Sequence, residues 1–274
     1  MRAAIGLLPV VAMLMGHTAW AGPRDFVVAM PAFLGTSEQA APVLATVCRH
    51  LEKSLGWPPL AIAGSYHPEP DDALEAIRSL QPGFAVVTLQ MYAEHQRDLK
   101  MRVIGGMRLS NGALGRFHVV VRTQGGPASL EELAGKTIAS PHLAEARFAE
   151  RVLFGGKLPL AAVKVVHVTA PLAALRAVDR GQADAAVVDE AVVRQLKSLP
   201  YGAGLRVIHS TEELPPLPVV ALGTATASDQ AAVQKALPGL CSGEQGASLC
   251  HLFRTETFVP ATEETFAAIV RELR

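Results

Sequence analysis

The stretch Ala73–Thr88, ALEAIRSLQPGFAVVT, lies without a gap on Ala174–Asp189, ALRAVDRGQADAAVVD, so one chain carries the same unit twice. In each copy, apolar residues at helical spacing, Leu74 and Ile77 or Leu175 and Val178, lead into a compact apolar run, Phe84–Val87 or Ala185–Val188. A continuous apolar run reached through a helix is the pattern of a central parallel strand, because both of its faces are covered. Each run stops on a polar residue, Thr88 or Asp189. Ligands of open α/β sheets settle outside the carboxyl ends of strands, so these two residues are candidates to face one another across a cleft.

The same order of elements extends outward from the repeat. The first half reads as strand Phe26–Met30, helix Ser37–Leu55, strand Leu60–Ala63, helix Asp71–Leu80 and strand Phe84–Val87. The second reads as strand Lys136–Ala139, helix Glu145–Phe154, strand Val163–Val168, helix Pro171–Arg180 and strand Ala185–Val188. Between them, Met101–Met107 and Phe117–Arg122 are strand-like stretches separated by Ser110, Asn111 and Gly112, a first crossover. The proline-rich Leu214–Pro218 before strand Val219–Gly223 is the return, and the helices Asp229–Ala236 and Glu263–Leu273 pack back on the first half. The expected fold class is α/β: two doubly wound βαβαβ lobes joined by a two-crossover hinge, with lobe I from 22–113 plus 220–274 and lobe II from 114–219. Hinged lobes close around ligands.

Residues 1–21 read as a secretory signal peptide: a basic start at Arg2, an apolar stretch Ala3–Met15, and the small-x-small site Ala19, Trp20, Ala21 before Gly22. The apolar stretch falls short of the ~20 residues that a spanning helix needs. No cysteine follows the cleavage site and no twin-arginine pair precedes it, which points to the general secretory route and a periplasmic product, not membrane-embedded after cleavage. Cys241 and Cys250 bracket LCSGEQGASLC and can close a disulfide in an oxidising compartment, whereas Cys48 sits among apolar residues at helical spacing as a buried thiol. Formal net charge is zero with scattered Lys and Arg, which excludes the basic stripe that nucleic acid demands.

Catalytic signatures are absent or false. Gly135-Lys136-Thr137 copies the end of a phosphate loop, but Leu130 stands where its first glycine belongs and the triplet enters a strand instead of leaving one. No nucleophile elbow, zinc-protease helix or dinucleotide fingerprint occurs, so neither catalytic residues nor a cofactor are assigned. His67, His142 and His167 lack metal-ligand spacing, and no metal is assigned.

The segment SLEELAGKTIASP, followed by a helix and by VVHVTAPLAALRAVDRGQADAAVVDEAVVRQL, resembles the second lobe of the phosphate/phosphonate-type substrate-binding proteins of ABC transporters, members of the type II periplasmic binding fold. The resemblance rests on Ser129, Leu130, Leu133, Gly135 and Lys136, and on the series Ala174–Asp189; it is looser in the first lobe. It implies a periplasmic receptor that captures a small polar ligand between its lobes for a membrane permease. An exported hydrolase-like enzyme or a sensory ligand-binding protein are the other occupants of such a scaffold.

One departure stands out. The family's anion receptors place a Ser, Thr and Gly-rich turn after the strand matching Lys136–Ala139, so that backbone amides cradle phosphoryl oxygens. Here the turn is Ser140-Pro141-His142-Leu143-Ala144-Glu145: Pro141 has no amide hydrogen and Glu145 adds negative charge.

Strand exits supply the ligand-binding candidates: Phe33, Tyr66, His67, Thr88, Gln90, Ser140, His142, Thr169 and Asp189, with His167 beside them. The hydroxyls and Gln90 would hydrogen-bond a polar ligand, Phe33 and Tyr66 would form an apolar wall, and Asp189 would meet a cation or donor. Thr169, Ser140 and Asp189 read equally as helix caps.

Overall fold

The computed structural model describes residues 22–30, 36–110 and 115–273. The expected leader, 1–21, and Phe33 lie outside the described residues. The first half of the repeat builds β1 (Phe26–Ala29), α1 (Ser37–Leu55), β2 (Gly64–His67), α2 (Pro70–Leu80) and β3 (Phe84–Val86), with β1 parallel to both β2 and β3. A short helix, α3 (Leu89–His95), then leads to β4 (Arg102–Leu109). The chain crosses over as β5 (Phe117–Arg122) and enters the second half: β6 (Thr137–Ser140), α4 (Ala146–Phe148), β7 (Lys164–His167), α5 (Pro171–Asp179) and β8 (Ala185–Asp189), with β6 parallel to β7 and β8. Next come α6 (Glu190–Gln195), β9 (Leu205–Ser210), the returning β10 (Leu217–Ala221), α7 (Ala227–Ala236), α8 (Gly243–Leu252), β11 (Thr255–Val259) and α9 (Ala267–Leu273).

The strands segregate into two sheets, ordered β11-β4-β10-β3-β1-β2 and β7-β6-β8-β5-β9. The sequence repeat is visible in this topology: β2-β1-β3 of one sheet corresponds to β7-β6-β8 of the other. The two crossing strands complete the correspondence. β10, arriving from the second lobe, pairs antiparallel with β3, and β5, arriving from the first, pairs antiparallel with β8. Each lobe thus takes its fourth strand from a crossover.

Local chemistry explains most boundaries. Thr36 and Gln39 form a reciprocal capping box at the start of α1, and Gly56 ends the helix in the left-handed region at φ 66°. The buried face of α1, Ala40, Leu44, Cys48 and Leu51, lies on the first sheet, and it approaches β2 closely because Gly64 has no side chain: a Cβ there would sit 2.9 Å from Cys48 Sγ. Burial pushes the Cys48 thiol up to about 12, which leaves it protonated and inert. β2 begins later than the apolar run Leu60–Ala63 suggests. Leu60 follows Pro58-Pro59 in the left-handed region at φ 63° and is 89% exposed, so that run is a turn, and the strand Gly64–His67 buries only Tyr66. The helix read over Glu145–Phe154 is a single α-turn continued by a π-helical turn, Ala149–Leu153. The segment between Cys241 and Cys250 folds as most of α8, and the two cysteines form a disulfide with Cα atoms 5.5 Å apart.

One apolar cluster passes from Val27, Ala85 and Tyr92 in the first lobe through Phe266 and Leu273 to Leu153, Leu143 and Phe117 in the second. α9 is the connecting piece. It packs on both α3 and the Ala149–Leu153 turn, with the Tyr92 and Phe266 rings 5.3 Å apart.

Candidate functional site

The carboxyl ends of β1 and β3 meet the β6–α4 turn across a cavity of about 80 Å³ between the lobes. Met30, Thr88 and Leu89 line it from the first lobe, Phe117, Pro141, His142, Ala144, Glu145 and Phe148 from the second, and Leu214, Pro215 and Leu217 from the returning crossover. Among the described residues its wall is apolar except for Thr88, His142 and Glu145, and none of those that line it is Lys or Arg.

Thr88 sits here because it lies two residues past the end of β3 and caps the start of α3. Its Oγ1 accepts the Met91 amide at 3.1 Å as helix cap, and its hydroxyl donates to Glu145 Oε1 at 2.6 Å across the cleft. Gln90 makes a second bridge, its Oε1 accepting the Phe148 amide at 2.8 Å. A third lies at the rim, where Arg147 is 3.3 Å from Glu94 and also donates to the Leu273 carbonyl. Removal from water pushes the Glu145 carboxyl up to about 7; the Thr88 hydroxyl partly offsets this, and Glu94 adds to it.

His142 stands edge-on to Phe117 with ring centroids 5.0 Å apart. Its Nε2 is buried without a hydrogen-bond partner among the described residues, 3.9 Å from Asp189 Oδ2. Burial pulls the imidazole down to about 4, so the ring is neutral at physiological pH. Asp189 lies behind His142 and caps α6, its Oδ1 accepting the Val192 amide at 3.1 Å; desolvation raises its carboxyl above the ordinary value.

The remaining sequence candidates lie elsewhere. Ser140 is fully buried, donating to the Val187 carbonyl and accepting the His142 amide, both at 2.9 Å, so its hydroxyl ties β6 to β8. Tyr66 is buried with its hydroxyl on the Met30 carbonyl at 2.8 Å, a brace beneath the cavity and not its wall. His67 ends β2 beside Ser65, 3.1 Å from its hydroxyl and away from the cavity, and desolvation lowers its imidazole below the ordinary value. His167 and Thr169 are exposed at the end of β7, the edge strand of the second sheet, and α5 is capped by Ala170 without a side-chain bond. The sequence reading picked out neither Phe117, Phe148, Leu214 nor Leu217 as lining residues. Pro215-Pro216 in the return was the available signal for where the crossover bends over the cleft.

A second cavity of about 200 Å³ lies on the other side of the Leu214–Leu217 segment. Its arginines already have partners: Arg194 is 3.2 Å from Glu190, Arg108 is 3.9 Å from Glu213, and Arg116 donates to the Thr211 carbonyl. Glu190 also receives His118, whose other ring nitrogen is 2.8 Å from the Ser210 hydroxyl, a chain that fastens α6 to β5 and β9. Among the described residues no group of three or more His, Cys, Asp or Glu could hold a metal ion, and no helix is long and apolar enough to cross a membrane.

A sequence comparison with curated proteins returned no match. Solved structures share the fold. A binding-protein component of an ABC phosphonate transporter from Pseudomonas aeruginosa superposes with a TM-score of 0.66 at 13% identity, over 91% of this chain and 84% of that one. PhnD1 of Prochlorococcus marinus in complex with methylphosphonate gives 0.64 at 14% identity, over 92% and 97%. The periplasmic aliphatic sulphonate binding protein SsuA of Escherichia coli gives 0.58 at 17% identity, over 91% and 90%. The architecture is that of the type II periplasmic binding proteins. The family model described as ABC transporter, phosphonate, periplasmic substrate-binding protein matches residues 36–266, and the chain belongs to that family.

Proposed function

We propose that the protein is exported by cleavage before Gly22, binds one small solute in the cavity between its lobes, and delivers it to an ABC permease without chemical change. In this reading lobe I comprises 22–113 plus 220–274 and lobe II 114–219. Thr88, Gln90, Glu145 and His142 respond to the ligand, and Asp189 holds the start of α6 behind them. The observation that carries the reading is the cavity itself: it lies outside the strand ends of both sheets, where α/β folds bind ligands, and each lobe contributes polar groups to it. The unpartnered His142 Nε2 at that wall supplies a polar atom that a ligand would satisfy.

Thermal-shift screening of the mature chain against amines, amino acids, phosphonates, sulfonates and cofactor precursors tests it. A cognate solute at one hundred times its Kd stabilises the native state by about 2.7 kcal/mol and is recovered unaltered. The shift disappears in His142→Ala and shrinks in Thr88→Ala. A solute whose shift survives both substitutions binds elsewhere and refutes the placement.

A further inference from the structure

We infer that hydrolysis before Gly22 does more than release a leader: the α-ammonium it creates closes on the Asp25 carboxylate and clamps the entrances of three strands, so that the mature chain is more stable than its precursor. This rests on the export reading above and adds what cleavage does to the fold.

Asp25 stands where the first sheet begins. Its Oδ1 accepts the Ala63 amide at 2.7 Å, its carbonyl accepts the Phe84 amide at 3.0 Å, and the next residue, Phe26, donates to the Ala63 carbonyl at 2.8 Å. This corner thus joins the approaches to β1, β2 and β3. The second carboxylate oxygen, Oδ2, accepts from the Gly22 nitrogen, and the Asp25 amide closes the turn by donating to the Gly22 carbonyl at 3.0 Å.

Neighbouring contacts hold the turn in place. The Pro23 carbonyl oxygen lies so close over Gly83 that a Cβ there would come within 1.8 Å of it. The Arg24 guanidinium is 3.1 Å from Asp229 and 4.4 Å from the centroid of the Trp57 ring. The position of the Gly22 nitrogen is therefore set by packing before any charge is considered.

What the carboxylate lacks is a cation. Arg24, its neighbour in sequence, is committed to Asp229, and no Lys, Arg or His side chain pairs with Asp25 among the described residues; its partners are two backbone nitrogens. In the precursor the Gly22 nitrogen is a peptide amide with a single hydrogen and no charge. Hydrolysis by a signal peptidase adds water across the Ala21–Gly22 bond, leaving a carboxylate on Ala21 and a positively charged ammonium on Gly22, which keeps its charge below about pH 8. A neutral hydrogen bond becomes a charge-assisted one, roughly twice as strong. A chain that still carries its leader lacks this clamp, and the first sheet tightens only once the leader is gone.

Scanning calorimetry at about pH 6.5 compares three forms of the protein: one that begins at Gly22, the same chain N-acetylated, which restores a peptide-like amide without adding residues, and one that begins at Ala21, which moves the ammonium away by one residue. The free Gly22 form is expected to melt roughly 2 to 4 °C above either of the others. In Asp25→Asn, which keeps an oxygen for the Ala63 amide, the three forms melt together. A further check needs no substitution: in about 1 M NaCl the gap between free and acetylated forms shrinks, because a half-exposed ion pair is screened by salt. Equal Tm values in the wild-type background, a gap that survives Asp25→Asn, or a gap indifferent to salt overturns the clamp and leaves the receptor and export readings standing. N-terminal sequencing of the protein recovered from the periplasm tests the export reading separately. A start at Gly22 supports it, and a start elsewhere overturns both, because the ammonium then lies away from Asp25.

Discussion

Replacing Glu145 by Gln should stabilise the unliganded protein, and only at the alkaline end of its range. The folded-state carboxyl is raised from 4.5 to about 7, chiefly by loss of water around it. A raised acid binds its proton more tightly when folded than when unfolded. Stability is therefore fully present below the unfolded value, falls as pH climbs through the window from about 4.5 to about 7, and levels off above it. At 1.36 kcal/mol per unit the loss amounts to about 3 kcal/mol by pH 8.5. The amide introduced by Glu145→Gln has no charge to desolvate and keeps an oxygen for the Thr88 hydroxyl, so the variant escapes this loss. For a chain of this size, about 3 kcal/mol corresponds to roughly 6 to 12 °C in Tm. Differential scanning calorimetry of both proteins at pH 5.0 and pH 8.5 measures it, and subtracting one protein from the other cancels the histidines, His67 and His142 included, whose lowered values give each protein its own acid sensitivity. A gap that is the same at both pH values, or a wild type more stable than the variant at pH 8.5, would refute the placement of Glu145 in a dry cleft.

Two further outcomes concern parts of the fold around that site. Asp189→Ala removes the cap of α6 and lowers unfolding stability by about 1 kcal/mol in urea titrations, whereas Asp189→Asn, which caps equally well and has no charge to desolvate, is at least as stable as wild type at neutral pH; equal losses in both would show that the charge and not the cap matters. Gly83→Ala drives a Cβ to within 1.8 Å of the Pro23 carbonyl oxygen, backbone that precedes β1, so destabilisation of about 3 kcal/mol or failure to accumulate is expected, and a near-normal urea midpoint would contradict the packing at that strand entrance.

The doubled core was legible because burial on both faces leaves an unbroken apolar run after each helix, and that signal is local. Strand boundaries were less so. LAIA has the composition of a strand, yet Pro58-Pro59 and the left-handed Leu60 turn it outward, and the true strand GSYH has one inward residue to announce it. α8 hid in a segment rich in Gly and Ser, where tertiary packing on α1 and β11, with the local Cys241–Cys250 disulfide, outweighs residue propensity. At the cavity, Thr88 and His142 were found by the rule that ligands gather at strand ends. The rule also selected Thr169, which emerges from the edge strand β7 into solvent, and Ser140, whose hydroxyl is committed within its own sheet. Phe148 and Leu214 come to the wall only through the docking of one lobe on the other, a juxtaposition that no spacing along the chain encodes.

Because the apolar cluster runs unbroken through α9, parting the lobes widely would wet the Tyr92, Phe266 and Leu153 side chains, at about 25 cal/mol for each Å² uncovered. Small excursions about a shared keel, and a single cooperative melting transition, are the expected consequence. If the cleft takes the ligand as proposed above, entry needs only a slight parting at the rim, where Arg147 clasps Glu94, and size would be judged by walls already in place.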